Sequence, residues 1–469
     1  MSARRVQARV GHALLLAAAL LLAACAARRI VRHDRIDEDA LGAVRRGLPA
    51  ARGLAFTAPV PAVALDRAAL GAALLADVDQ SYRPGDLATM ERVWARLGLL
   101  PPGTNLRAAI TGLYEREGAG FYDPRSKRLM ISTHAMAHLG WRVTLLSALA
   151  RRDLAGELFA AHELTHALQD QHWGLPTGAE PITSAHGDRL LARRAVLEGD
   201  ATLAGFAYVA GGRLDGDALA RVVGQLGDVE RELAARYPEV PEVLRAAVAF
   251  QYDAGTAFVA RALATGGWPA VDRVEADPPT STAEVLHPAR WFGERVPPVE
   301  VAIEGTEPLA GAGWTPILED TLGELDVRVL ARRTLPAAAA ARVADGWRGD
   351  RLRAFARGED LLLLWMTAWA SPGEAAEFAE AAPGFLAAAR VEQRGPRVLV
   401  CLPPARRRRP GRGRRGRMAA CRRLTAAAPV PYRAGGACRR ARSRRSSGSS
   451  APSARRRRTC TSGVACATP

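Results

Sequence analysis

Cysteine is almost absent from most of the chain, and this scarcity limits the chemistry available to it. Of the six cysteines, one is Cys25, the others lie from Cys401 onward, and none falls between residues 26 and 400. Residues 26–400 therefore form no disulfide bonds among themselves and offer no thiolate to a metal ion. Any metal site in this part of the chain must use histidine and carboxylate ligands.

Negative charge is absent from the C-terminal segment. Residues 406–469 contain twenty arginines and no Asp, Glu or Lys; the +17 of the whole chain less these twenty leaves −3 for residues 1–405. The basic character therefore belongs to the tail, and no nucleic-acid partner is expected for the body. With no periodicity and few large apolar residues, residues 404–469 are predicted to be a disordered arginine-rich tail. Its composition favours a frameshift product; a basic segment that binds nucleic acid or anionic lipid is the alternative.

The N-terminus carries an apolar run that is too short to span a bilayer. Arginines in the first nine residues precede Ala13–Ala24, whereas a membrane-spanning helix needs about 20 apolar residues. This pattern predicts a signal peptide over residues 1–25. Its end, Leu-Ala-Ala-Cys25, resembles the lipobox of bacterial lipoproteins. The resemblance implies lipidation of Cys25 and an extracytoplasmic protein anchored to the membrane of a bacterial cell envelope; an ordinary signal peptide is the alternative.

Apolar spacing predicts an α+β fold that is mainly helical. Helical spacing marks residues 70–78, 87–100, 153–173 and 188–210, with more helix to about 263 and an irregular segment at 278–298. Residues 118–132 are typical of two short strands around an Asp-Pro turn. After the signal peptide, the predicted segments are a polar tether (26–52), a main domain (53–310), a small α+β domain (311–403) and the tail.

Residues 162–166 read His-Glu-Leu-Thr-His, an HExxH motif inside the predicted helix 153–173. Residues four apart lie on one face of a helix, so His162 and His166 can direct two imidazole nitrogens at one metal ion. Glu163 can reach a reacting water without binding the metal. Zinc suits this arrangement, because it takes His and carboxylate ligands tetrahedrally and leaves one position open. The motif predicts a zinc hydrolase with Glu163 as general base, against the alternative of a surface helix with a satisfied histidine pair.

Two residues are candidates for the third zinc ligand. His172 follows His166 by six residues, the spacing of the metzincin pattern HExxHxxGxxH. Gln169, however, occupies the position where that pattern needs glycine to turn the helix. Glu198 lies on the next predicted helix, among small residues that would allow close approach to the motif helix. A carboxylate on an otherwise apolar helix needs a partner, so we expect Glu198 to be the ligand. His172 and a solvent-facing Glu198 remain the alternatives.

The segments HELTHALQDQHW and LEGDA together resemble the gluzincin branch of zinc metallopeptidases, in particular a group of bacterial members. The shared features include a GFYDP strand pair before the motif and a PPTSTAEVLHP segment after it. The resemblance covers about residues 53–395 and implies a zincin-like metallopeptidase domain that acts on peptides or proteins. It also implies Zn²⁺ binding by His162, His166 and Glu198, with Glu163 as the base.

Two further expectations concern the surroundings of the metal. The common gluzincin pattern has Asp four residues after the Glu ligand, where this chain has Thr202, so Asp200 or Asp170 is the candidate for orienting a ligand histidine. Tyr252 and His287 are candidates for the donor that stabilises an oxyanion, each with a structural role as the alternative.

Two more segments complete the sequence predictions. The strand at 120–122 is, by the same resemblance, the edge that pairs with an extended substrate. His134 and His138 are interpreted as ordinary surface or packing residues. The function predicted overall is a membrane-anchored zinc peptidase. The alternative is a non-catalytic envelope lipoprotein that uses a zincin fold to bind or scaffold peptides, although the intact HELTH motif argues against it.

Overall fold

The computed structural model describes residues 29–404 except 118, 134–146, 148–149 and 178–181. These residues form an α+β structure that is mainly helical and carries a small β-sheet domain at its C-terminal end, which confirms the coarse fold class. Within the described part of the chain, no helix combines the length and apolarity needed to cross a membrane.

Strands and helices are interspersed along the first half of the chain, and the HELTH segment lies in one of the helices. They are β1 (Val31–Arg32), β2 (Arg35–Ile36), α1 (Glu38–Arg52), β3 (Ala62–Leu65), α2 (Arg67–Ser81), α3 (Asp86–Leu97), α4 (Leu106–Glu117), β4 (Gly120–Asp123), β5 (Arg128–Ser132), α5 (Leu154–Trp173) and α6 (Gly187–Val209). The predicted helices at 153–173 and 188–210 are thus confirmed as α5 and α6.

The second half begins with helices and ends in a sheet. Its elements are α7 (Gly216–Leu226), α8 (Val229–Arg236), α9 (Glu242–Ala249), a π-helical turn (Phe250–Ala254), α10 (Gly255–Ala276), α11 (Thr282–Leu286), α12 (Ala289–Phe292), α13 (Glu307–Gly311), β6 (Thr315–Asp320), α14 (Gly323–Arg332), α15 (Ala337–Asp345), β7 (Trp347–Arg357), β8 (Asp360–Trp369), α16 (Pro372–Phe385), β9 (Arg390–Arg394) and β10 (Arg397–Leu402).

Several helices begin where an aspartate supplies the N-cap. The side chains of Asp37, Asp66, Asp153 and Asp215 each accept a hydrogen bond from the backbone N–H three residues later. Such a cap satisfies one of the unpaired amides of the first turn and contributes about 1 kcal/mol. Asp153 also accepts from the N–H of Ile30, so it fixes the start of α5 and holds the N-terminal segment against it.

Helix α6 lies at the centre of the helical layer, where it packs against α1, α5 and α10. A Cβ atom on Gly255 would lie 2.1 Å from the carbonyl oxygen of Ala195, and one on Gly199 would lie 2.5 Å from the carbonyl oxygen of Gly255. The α6 and α10 backbones are therefore almost in contact, which only glycine permits at these positions. This close packing holds the face of α6 that carries Glu198 in a fixed place.

A three-stranded sheet in the order β3-β5-β4 packs beside α5 through β4. Strands β4 and β5 are antiparallel, with Tyr122 opposite Leu129, which confirms the strand pair predicted around the Asp-Pro turn. Strand β3 joins β5 in parallel and was not predicted. Strand β4 forms one edge of this sheet.

The C-terminal sheet is antiparallel, in the order β6-β7-β8-β10-β9. Its core contains the buried side chains of Trp347, Trp365 and Phe378 and is continuous with Val93 and Leu97 of α3. The sheet therefore shares its apolar core with α3, and the domain boundary at 310/311 stays a prediction.

The structure differs from the predicted tether at 26–52, because residues 38–52 form α1. Leu41, Val44 and Leu48 are fully buried and recur at helical spacing, and Arg52 is buried with them. The mixed charges suggested a solvated linker, but the apolar stripe is sufficient to dock this helix on α5 and α6. The segment 278–298, expected to be irregular, likewise contains the short helices α11 and α12.

Candidate metal centre

Helix α5 presents the HELTH motif with both histidines on one face. The Nε2 atoms of His162 and His166 are 3.2 Å apart, and their rings meet edge to face. This is the arrangement predicted from their spacing of four residues. Neither ring is fully exposed, since the side chains retain 16% and 14% of their accessible surface.

Glu198 of α6 faces this histidine pair. Its Oε2 atom lies 3.1 Å from Nε2 of His162 and 3.7 Å from Nε2 of His166. The helices can approach this closely because Gly205 faces α5: a Cβ there would lie 3.1 Å from the carbonyl oxygen of Leu158. The structure thus brings together the three predicted ligands, called the triad below.

The spacing of the triad fits a tetrahedral zinc ion. Ligand atoms about 2.0 Å from zinc in tetrahedral geometry lie about 3.3 Å from one another. The three separations in the triad are 3.1, 3.2 and 3.7 Å. Two imidazole nitrogens and one carboxylate oxygen are also a donor set that zinc prefers, so the residues present fit this ion.

Electrostatic attraction within the triad is strong. Burial by itself lowers the pKa of His166, but the nearby Glu198 carboxylate outweighs it and raises that pKa to about 10. Burial alone would raise the pKa of Glu198, yet the two histidines hold it well below its usual range. Glu198 is therefore ionised and favours a positive charge, from protons or from a metal, between itself and the rings.

Glu163 is buried beside the triad and is held by the neighbouring sheet. Its Oε2 accepts a hydrogen bond of 2.8 Å from the backbone N–H of Tyr122 in β4. Burial raises the pKa of Glu163, while His162 and His166 act in the opposite direction. Among the described residues, only Oε2 is hydrogen-bonded, so Oε1 is free to accept a proton. This placement suits the predicted general base.

The group that orients His166 is an amide. Nδ1 of His166 lies 2.8 Å from Oε1 of Gln169, one turn along α5. The amide nitrogen of Gln169 donates to the carbonyl oxygen of Leu197 and to Oδ2 of Asp200, each at 3.0 Å. Asp200, a predicted candidate for orienting a histidine, therefore contacts Gln169 and not His166 itself. No local sequence pattern indicates this role of Gln169.

A fully buried ion pair supports this amide. Arg52 at the end of α1 donates to both oxygens of Asp200, at 2.6 and 3.1 Å, and also to Asp272 at 2.8 Å. Its guanidinium lies 4.7 Å from the ring centroid of Trp268, a cation–π contact. Arg52 falls within the predicted tether, so its role was missed; the helical apolar stripe before it was the available signal.

Asp170, the other predicted orienting carboxylate, does not contact a ligand histidine. Its Oδ2 accepts hydrogen bonds from the hydroxyl of Tyr122 and from Nζ of Lys127, both at 2.7 Å, and its Oδ1 accepts from the N–H of Leu175. Asp170 therefore ties the β4–β5 hairpin to α5. This tie holds Tyr122 where its backbone can reach Glu163.

Tyr252 lies beside the triad, in the π-helical turn. Its ring is roughly parallel to that of His162, with centroids 6.3 Å apart. A π-helical turn inserts one extra residue into a helix and is frequent at functional sites. Here it joins α9 to α10 at the point where Gly255 meets α6. The residue predicted as oxyanion donor is thus near the triad.

His287 lies in a different group, with its Nε2 2.8 Å from Oε1 of the buried Glu324 and 3.1 Å from Oδ1 of Asp345. Arg290 and Arg328 donate to the same Glu324 carboxylate. We call these five residues the arginine-bound cluster. No contact among the described residues joins His287 to the triad, so the structure does not place this predicted oxyanion donor at the metal site.

The remaining predicted residues lie away from the triad or outside the described part of the chain. His172 is on the last turn of α5, and its Nε2 is bonded to the carbonyl oxygen of Ala55 at 2.9 Å, so the structure does not bring this alternative ligand to the site. Helix α5 continues to Trp173 without the turn that a metzincin ligand requires. Cys25, His134 and His138 lie outside the described residues.

Comparison with known proteins adds a finding only for the C-terminal sheet. A family model described as a domain of unknown function (DUF8575) matches residues 315–407. This span covers β6 to β10 and does not include the triad. No curated protein and no solved structure matches the chain.

Proposed function

We propose that this protein is a zinc-dependent peptidase with a zincin-like catalytic domain. The observation that carries the proposal is the convergence of Nε2 of His162, Nε2 of His166 and Oε2 of Glu198, with the Glu163 carboxylate beside them. Among the described residues, Glu163 has an oxygen without a hydrogen bond and lies beside three metal-capable atoms. This arrangement suits a hydrolytic site, whereas the packing of two helices requires no such group. For this reason a non-catalytic scaffold is the weaker candidate.

His162, His166 and Glu198 would hold the zinc ion. When bound there, zinc would supply a Lewis acid that polarises a carbonyl and makes water acidic enough to react near neutral pH. Gln169 holds the His166 ring so that its Nε2 faces His162 and Glu198. Glu198 lies on a helix that is packed tightly against α5, so its carboxylate is held more precisely than it would be on a loop.

Glu163 would move the proton. Its Oε2 is held by the Tyr122 N–H, and Oε1 accepts a proton from water as the water oxygen bonds to the peptide carbonyl carbon. When the C–N bond breaks, Glu163 returns that proton to the departing amine nitrogen, so the base is regenerated. The hydroxyl of Tyr252 is the proposed donor to the negative charge that develops on the carbonyl oxygen.

The peptide substrate is proposed from the edge strand and from the gluzincin resemblance. Strand β4 ends next to Glu163 and forms one edge of its sheet, where an extended peptide can add as a further strand. The N–H of Tyr122 is already bonded to Glu163, so a peptide would use the other outward groups of this strand. We also propose an extracytoplasmic location, with a lipid anchor to a membrane of the bacterial cell envelope, because the sequence Leu-Ala-Ala-Cys ending at Cys25 resembles a lipobox.

The test is metal content and cleavage measured on the purified full chain. One zinc per chain is expected, together with cleavage of a denatured protein substrate that a chelator stops and added zinc restores. A chain that takes up no zinc, or a zinc-loaded chain that cleaves neither denatured protein nor peptides, would contradict the proposal.

A further inference from the structure

The side chain of Gln169 has only one orientation available to it. Its amide nitrogen faces the carbonyl oxygen of Leu197 and carboxylate oxygens of Asp200 and Glu275, at 3.0, 3.0 and 3.4 Å. The Leu197 carbonyl and the Asp200 carboxylate, which is bonded to Arg52 through both oxygens, are acceptors. A flipped amide would place its own oxygen against them and lose both bonds. Gln169 is also fully buried, where an unmade hydrogen bond costs about 1–3 kcal/mol.

This fixed orientation determines which nitrogen of His166 carries its proton. Because Oε1 of Gln169 can only accept, Nδ1 of His166 must donate across the 2.8 Å contact. A neutral imidazole with its proton on Nδ1 has its lone pair on Nε2, the atom that faces His162 and Glu198. The amide therefore holds His166 in the tautomer that can bind a metal.

The amide depends in turn on the N-terminal helix. Asp200 is fully buried, and both of its oxygens are bonded to Arg52 of α1. Without the guanidinium, the Asp200 carboxylate would lose its cation in a site closed to water, and would have to shift or take up a proton. Either change weakens one of the two 3.0 Å hydrogen bonds that orient Gln169, the other being to the carbonyl oxygen of Leu197.

We infer that Gln169 is the positioning residue for His166 and that Arg52, through Asp200, makes helix α1 part of the metal centre. The inference rests on the proposed zinc site and extends it by naming the residues outside the triad on which its affinity for zinc depends. Helix α1 would then have a specific task, which is to supply the guanidinium that holds Asp200.

The experiment measures zinc affinity of the full chain by competition with a chromophoric chelator at fixed pH. Gln169→Met keeps the length of the side chain and removes its hydrogen bonds, and is expected to weaken zinc binding about 10–100-fold. Gln171→Met is the matched control: this glutamine lies on the same helix, bonds to residues 57 and 58, and should leave the affinity unchanged.

The role of Arg52 is tested by coupling. Arg52→Met is expected to weaken zinc binding when Gln169 is present and to add little in the Gln169→Met background, because both changes break one chain of contacts. Arg45→Met is its control, since Arg45 lies on the same helix and pairs with the exposed Glu38. Additive effects of the Arg52 and Gln169 changes would overturn the link through Asp200.

Other outcomes separate the inference from the proposed function. A parent chain that binds no zinc contradicts the proposed function itself. A parent that binds zinc while Gln169→Met binds it equally well overturns the inference alone. If Arg52→Met does not fold, Asp200→Asn replaces it: this change keeps the shape and is expected to cost about threefold in affinity, as for one weakened hydrogen bond, and an unchanged affinity counts against the link.

Discussion

The triad and the arginine-bound cluster contain the same ligand types in the same close spacing, yet they differ in where their positive charge comes from. Among the described residues, these are the two groups whose His and carboxylate atoms lie within 4.8 Å of one another. In the arginine-bound cluster, both oxygens of Glu324 accept hydrogen bonds from guanidinium groups. In the triad, the polar partners of Glu198 in the described part of the chain are the two histidines, and the neighbouring Gln169 is neutral.

The comparison shows that a histidine close to carboxylates is a weak sign of a metal site by itself. The lone pairs of Glu324 are already taken by Arg290, Arg328 and His287, which leaves no oxygen for a cation. Glu198 has no arginine partner, so the positive charge beside it comes either from a proton on the histidines or from a metal ion.

The largest effect is expected for the base, which has no counterpart in the arginine-bound cluster. Glu163→Gln should lower kcat/KM for peptide cleavage by about 10²–10⁴-fold, because the amide cannot accept the proton of the attacking water. Zinc content should not change. The control is Glu157→Gln on the same helix, where the carboxylate is bonded to Arg152. A Glu163→Gln chain as active as the parent would contradict the mechanism.

The next effect concerns zinc affinity, compared between the two clusters. Loss of a group that only orients a ligand typically lowers metal affinity about 10–100-fold. Glu198→Gln should lower the zinc affinity by more than this, because it removes a proposed ligand. Glu324→Gln should leave it unchanged, since that carboxylate is committed to arginines. Zinc titration of both variants checks this pair of outcomes, and a second zinc lost on changing Glu324 would reverse our interpretation of the arginine-bound cluster.

The arginine-bound cluster should show its effect in stability. Glu324→Gln removes a fully buried charge, takes away the carboxylate that pairs with Arg328 and leaves Arg290 with Asp345 alone. We expect the free energy of unfolding to fall by about 3 kcal/mol, the lower end for a broken buried pair, because both arginines keep some access to solvent. Urea denaturation of the zinc-free chain measures it. Arg394, paired with Glu392 on the surface, gives the control Glu392→Gln with little expected change.

The last expected effect is a change in pH dependence, at a buried carboxyl that has neither arginine nor histidine as a hydrogen-bond partner among the described residues. Asp188 accepts hydrogen bonds from Thr282 at Oδ1, while Oδ2 has no partner among the described residues. Burial, together with repulsion from Asp350 and Asp320, raises the pKa of Asp188 to about 8. The folded state therefore holds this proton more tightly than the unfolded chain, whose aspartates titrate near pH 4.

The sign of the pH dependence follows from that difference. The contribution of Asp188 to stability is complete below about pH 4 and is lost as the pH rises through about 8. Asp188→Asn imitates the protonated form and should flatten the fall in the free energy of unfolding between about pH 5 and pH 8. Denaturant melts across this range measure the slope; a slope equal to that of the parent would show that Asp188 does not titrate there.

The local parts of this site were predictable from the sequence, and the long-range parts were not. The spacing of His162 and His166 and the small-residue face around Glu198 follow from helical periodicity, so helices α5 and α6 and their ligands were predicted together. Gln169 and Arg52 were missed. Their importance depends on contacts with residues 31 and 148 positions away, which no local pattern indicates.

Charged residues were the main source of error in the fold. Residues 38–52 were assigned to a tether because they carry charges of both signs, although an apolar stripe is present. Arg52 is fully buried only because Asp200 and Asp272 meet it there, and such a partner cannot be identified from sequence position. His287 illustrates the converse: its motif resembled a catalytic segment, but tertiary packing placed Glu324 against its ring.

The β4–β5 hairpin carries the single lysine of the chain, Lys127, whose side chain is 58% exposed while its Nζ rests on Asp170. Amine-directed chemistry therefore has one lysine side chain to modify. It lies in the hairpin whose strand β4 holds Glu163 through the N–H of Tyr122. A fluorophore or a surface linker attached there would sit next to the candidate catalytic centre without any engineered residue. The arginine-rich composition of this protein thus provides a natural single-site label.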